Sequence, residues 1–182
     1  MRRLAVLLLA LAIALAGCRP QAGAVARCGA APQLPYSEEL AQSLDARFMP
    51  YLQGQTGRFV LQTTSQELTS WIAYSASRWP GIPIRDATVW FSPGRVHFSG
   101  VITRVFLFSL RLQVHARVWL GGDTLQVSVE EACVGRTALP GWAKNLASRI
   151  ITDTITDTGS YVRLDSLEIG DGYLRVSGWL GR

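Results

Sequence analysis

Phe106-Leu107-Phe108-Ser109-Leu110-Arg111-Leu112-Gln113-Val114-His115-Ala116-Arg117-Val118-Trp119-Leu120 alternates along almost its whole length. Phe106, Phe108, Leu110, Leu112, Val114, Ala116, Val118 and Leu120 fall on one side. Ser109, Arg111, Gln113, His115, Arg117 and Trp119 fall on the other. A period of two is the signature of a β-strand with one apolar face. At roughly 3.3 Å per residue the stretch reaches about 50 Å, against roughly 17–20 Å for an ordinary strand. Twist accumulates over such a length, so the expectation is a sheet that curls and offers its apolar side as a trough.

Outward from this stretch the same period continues. Thr88 to Phe91 reads as a strand, Ser92-Pro93-Gly94-Arg95 as a turn, and Val96 to Thr103 as the returning strand. Downstream, Gly121-Gly122-Asp123 marks a hairpin into Thr124–Val129, and Glu130-Glu131 interrupts the alternation as a bulge does. Pro140 sits where helices begin, and Trp142, Leu146 and Ile150 line one side of the helix it opens while Ala143, Ala147 and Ile151 line the next. A helix apolar over that much of its circumference is expected to be surrounded. Tyr161–Ile169 and Tyr173–Leu180 form a closing hairpin around Gly170-Asp171-Gly172. Upstream, Ser37 with Glu38 and Glu39 starts an amphipathic helix running to about Gln53. A short strand follows over Arg58–Thr63, then Thr64-Ser65-Gln66-Glu67 is a capping box opening a second helix. The pattern is α+β: a strongly curled antiparallel meander wrapping one long helix in the C-terminal half, with two further helices N-terminal.

The N-terminus carries a different signal. Met1-Arg2-Arg3 is a positive start, Leu4 to Ala16 is an unbroken apolar run, and Leu15-Ala16-Gly17-Cys18 closes it. Thirteen apolar residues are too few to span a bilayer, so this reads as an export signal. The tetrapeptide resembles the lipobox of bacterial lipoproteins, which implies cleavage before Cys18, acylation of its thiol, and an extracytoplasmic protein anchored to a bacterial membrane. The division expected is a signal peptide over 1–17, a lipidated tether rich in Pro, Gly and Ala over 18–36, and one domain over 37–182. Loss of Arg2 and Arg3 lowers the formal charge from +5 to +3, and the basic residues do not cluster with aromatics, so nucleic acid is not an expected partner. Once Cys18 is acylated, Cys28 and Cys133 remain as a pair that a disulfide would join in an oxidising compartment. Cys133 equally suits a small buried core position.

From the Thr64–Glu67 capping box through the meander, Leu139-Pro140 and its helix, to Tyr173-Leu174-Arg175-Val176-Ser177-Gly178, the order of elements is similar to the bacterial relatives of the tubular lipid-binding superfamily. That superfamily includes bactericidal/permeability-increasing protein, and its small envelope members have a curled sheet wrapped about a long helix. The resemblance implies a phospholipid or other apolar ligand held between sheet and helix. The residues placed there are Phe106, Phe108, Leu110, Leu112, Val114, Trp142, Leu146 and Ile150.

No chemistry of catalysis is expected. The sequence has no Gly-x-Ser-x-Gly elbow, no His-Glu-x-x-His and no Walker loop, and neither a metal nor a cofactor is implied. His97 and His115 fall among polar alternates and read as solvent-facing. Asp153 and Asp157 read as solvated helix carboxylates. Two functions follow from these features: a membrane-anchored protein that binds a lipid or other apolar ligand, or a non-enzymatic scaffold of the cell envelope with a fully packed core.

Overall fold

The computed structural model describes residues 29–76, 84–105, 108–122, 124–156 and 162–181. In chain order the elements are α1 (Glu38–Leu52), β1 (Gly57–Thr64), α2 (Ser65–Ala76), β2 (Ile84–Ser92), β3 (Arg95–Val105), β4 (Phe108–Gly121), β5 (Thr124–Val134), β6 (Thr137–Ala138), α3 (Gly141–Thr156), β7 (Val162–Ile169) and β8 (Tyr173–Leu180). The strands form two antiparallel sheets, one of order β1-β8-β7 and one of order β2-β3-β4-β5-β6.

Local chemistry sets the helix starts. The Ser37 hydroxyl accepts from the Leu40 amide at 3.3 Å, capping α1 above Glu38 and Glu39. The capping box forms reciprocally: the Thr64 amide donates to Glu67 Oε2 at 2.8 Å and the Glu67 amide to Thr64 Oγ1 at 3.2 Å. Arg47 of α1 donates to the Gln62 carbonyl at 2.7 Å and pairs with Glu67, so α1 is fixed against the start of α2. Trp71 Nε1 donating to Asp45 at 2.6 Å and Phe48 stacked on Trp71 complete that contact.

The apolar side of the five-stranded sheet is covered in two places. Val89, Phe91 and Ile169 form one buried cluster, joined by Leu68 and Ile72 of α2 and by Leu167 and Leu174 of the β7–β8 hairpin. Ala116, Val129 and Ala132 form the other, joined by Val114 and by Ala147 and Ile151 of α3. The second sheet is tied on through Gly94, whose amide donates to the Ile169 carbonyl at 3.0 Å, and Gly172, whose amide donates to the Phe91 carbonyl at 3.1 Å.

This arrangement corrects the expected fold. No sheet is strongly curled, and the helix expected to be long and wrapped is short, 16 residues, like the two N-terminal to it among the described residues. Strand length argued for a trough on the premise that one helix must fill it. Instead the stripe is shared between a helix and a second sheet, so neither has to be enveloped. The ladder is also broken by bulges between Arg85 and Thr88, Ile102 and Val105, and His115 and Ala116, which absorb twist locally.

Helices α2 and α3 lie along the edges of the five-stranded sheet. The β2 edge meets α2, where Ser65 Oγ accepts from the Phe91 amide and Thr69 Oγ1 accepts from the Val89 amide, each at 3.0 Å. The β5 edge meets α3, where Ser148 Oγ accepts from the Val129 amide at 2.8 Å and Thr152 Oγ1 from the Val127 amide at 3.3 Å. In both, hydroxyls four residues apart on a helix serve amides two residues apart on a strand. Four helical residues rise about 6.0 Å and two strand residues about 6.6 Å, so the spacings match. Strand amides that would otherwise seek another chain are thereby satisfied from within.

Candidate functional site

The polar side of the five-stranded sheet holds the densest chemistry. Antiparallel register sets Trp90 across from His97, Ser92 across from Arg95, His97 across from His115, and Ser99 across from Gln113. These side chains therefore share one face over three strands. Contrary to the solvent-facing expectation, His97 is 9% exposed, and Ser99 and Gln113 are buried with it. Trp90 stacks on the His97 ring at 5.1 Å and meets the His115 ring edge-on at 5.8 Å.

The two imidazoles face each other through Nδ1, 2.5 Å apart, and His97 Nε2 is 2.7 Å from Ser92 Oγ. His115 Nε2 is buried and has no hydrogen-bond partner among the described residues. Above the pair lies a charge cluster. Glu130 accepts from Arg95 Nε at 2.8 Å and pairs with Arg117 Nε at 3.1 Å. The hydrogen bond from Arg95 is the main reason that the Glu130 carboxyl is held below the usual carboxylate range. The His97 pKa is pushed below 6.5, first by burial and then by positive charge on His115 and Arg95, against a weaker pull from Glu130.

Ser92, His97 and His115 follow the order nucleophile, base, orienting group, through the ring nitrogens that such a triad uses. A serine activated in that way must leave an imidazolium on His97. Here an imidazole takes the place of the carboxylate that would stabilise that cation, and Arg95 and Arg117 stand close by, so the arrangement favours a neutral His97. Among the described residues no three His, Cys, Asp or Glu side chains are grouped to hold a metal ion.

Register arithmetic was the signal available for this cluster. His97 and His115 lie at equal distances from the β3–β4 turn, as do Ser99 and Gln113, but polar alternation alone assigns the two histidines to water.

The residues placed at the trough are distributed differently. Val114 packs in the cluster with Ala147 and Ile151, and Leu110, Leu112 and Ile150 are half-buried. Trp142 and Leu146 turn outward on α3, 55% and 41% exposed. Phe106 lies outside the described residues, and of Phe108 only the backbone is described.

Cys18 and Cys28 also lie outside the described residues, while Cys133 is buried and disulfide-bonded. Gln113, paired with Cys133 across β4 and β5, donates through Nε2 to the Gly29 carbonyl at 2.7 Å. The chain entering the domain is thus fastened to its polar face. Among the described residues no helix is long and apolar enough to cross a membrane. A scan against protein-family models finds no match, and comparisons with curated proteins and with solved structures find none either.

Proposed function

We propose that this chain is a bacterial extracytoplasmic lipoprotein, anchored through acylated Cys18, whose domain lies on the membrane and contacts lipid through the outward face of α3. It acts by binding and carries out no reaction. The observation that supports this most is the pair Trp142 and Leu146, one turn apart and exposed at the start of α3, with exposed Arg149 a further turn on. An indole with an aliphatic neighbour and a long basic side chain suits the half-wet boundary of a bilayer.

Chain length supports the same occupant. Eleven residue steps separate Cys18 from Gly29, a reach of about 40 Å at most. Gly29 is held at Gln113, across from Cys133, and the Ala132 carbonyl beside it accepts from the Leu139 amide just ahead of α3. Gly29 is thus held beside the strand end that leads through Leu139 into α3.

Acyl chains contribute roughly 0.8 kcal/mol per buried CH₂, far more in total than the roughly 1.5–3 kcal/mol of one buried apolar side chain. The face of α3 therefore orients a protein that the lipid already holds, and its contact must be measured with the anchor removed. The mature chain carrying Cys18→Ser should leave the membrane fraction of cells. Purified, it should shift its tryptophan emission to the blue on adding phosphatidylcholine vesicles containing phosphatidylglycerol. Trp142→Ala with Leu146→Ser should abolish that shift while leaving the melting temperature within about 2 °C, as exposed substitutions do. An unshifted spectrum for the unmutated domain would reject lipid contact and leave an anchored scaffold.

A further inference from the structure

We propose that His97 and His115 form a proton-gated latch that holds β3 to β4 while they share one proton, and that a second proton opens it and loosens the neighbouring hold of Gln113 on Gly29.

The facing Nδ1 atoms are 2.5 Å apart, so one must donate and the other accept. Two Nδ1–H groups cannot face each other at that distance. The rings have little freedom to turn aside. His97 is pinned between stacked Trp90 and the Ser92 hydroxyl at its far nitrogen. The far nitrogen of His115 is buried without a partner among the described residues, so no acceptor awaits a proton there. Charged groups around the pair resist a proton on both Nδ1 atoms at once. From β3 comes Arg95 and from β4 Arg117, both engaged by Glu130 of β5, while Glu131 of β5 stands across from His115. Among the described residues β2 contributes Trp90 and Ser92, neither charged, and the entering chain contributes the Gly29 carbonyl. Both Nδ1 atoms carry protons together only when both rings are charged, and those charges would join the two half-exposed guanidiniums beside them.

The next pair along the ladder is Ser99 with Gln113, both buried. Separation of the rings is thus delivered first to the side chain that fastens the tether, which gives the latch a consequence beyond its own hydrogen bond.

The test is nitrogen NMR of the ¹⁵N-labelled mature protein, titrated from about pH 7.5 to about pH 5 across the imidazole range. The expected result is that the shared-proton signature of the two Nδ1 atoms disappears below pH 6.5, and that the Gln113 side-chain amide moves to its free position with the same midpoint. In His115→Asn, which can still pair with His97 but cannot take the second proton, the Gln113 response should vanish. If His115→Asn fails to fold, coincidence of the two midpoints in the unmutated protein decides. Independent titration of the rings with ordinary imidazole midpoints, or a Gln113 amide that stays in place through the transition, overturns the latch.

Discussion

Glu130 and His97 both feel Arg95, and acid acts on them in separate ranges. The folded chain binds a proton on His97 less readily than the unfolded chain does. As pH falls below about 6.5 the unfolded state takes up that proton first, so stability is lost from there down to the lowered folded value and then levels off. Glu130, also lowered, contributes stability that is intact above the usual carboxylate range and is lost only as pH falls through that range to its folded value. Its side chain is a third exposed, so solvent screening keeps the contribution at about 1 kcal/mol or less. A melting-temperature profile against pH should therefore show two acid steps. His97→Asn should remove the upper step, on the order of 2–4 °C, and Glu130→Gln the lower one alone. A profile in which Glu130→Gln abolishes the upper step would contradict this separation.

Each paired hydroxyl along the sheet edges holds a strand amide. Ser148 accepts from the Val129 amide and donates to the Lys144 carbonyl at 2.9 Å. Ser148→Ala leaves a strand amide without its partner, a loss of about 1–3 kcal/mol. The melting temperature should fall by roughly 2–8 °C, measured by circular dichroism, whereas Ser148→Thr, which keeps the hydroxyl, should fall less. The strands and helix starts were legible because β4 has one apolar face with period two, and because Thr64 and Glu67 have only one economical way to pair. The edges were not. Ser65 with Thr69 and Ser148 with Thr152 have the same spacing in sequence, but a helical hydroxyl means nothing until the strand beside it is known. The expected curl failed for a related reason: an apolar stripe does not say whether a helix or a second sheet will cover it. His97 and His115 were misplaced because alternation assigns polar residues to water, and that rule lapses where Trp90, an arginine cluster and the entering chain cover the polar face.

The disulfide at Cys133 and the hold on Gly29 determine how far the domain would stand from the proposed anchor at Cys18. The other cysteines are Cys18 and Cys28, and acylation of Cys18 leaves Cys28, next to Gly29, as the partner that the proposed function requires. Such a bond closes a loop of about 105 residues around α1, α2 and the first four strands of the larger sheet, worth about 4.7 kcal/mol in the chain-entropy account. Reduction should then lower the melting temperature by roughly 10–15 °C. It should also lengthen the tether. With that tie gone, the next firm attachment is Ser37, whose amide donates to Ser70 Oγ at 3.2 Å, nineteen steps from Cys18 in place of eleven. The maximum reach rises from about 40 Å to about 70 Å. Energy transfer from the domain's tryptophans to an acceptor dye in the bilayer should weaken when the acylated protein on vesicles is reduced below its melting temperature, and peptide mapping should show Cys28 joined to Cys133 beforehand. Equal transfer and an unchanged melting temperature after complete reduction would mean that this bond neither stabilises the domain nor governs its distance from the membrane.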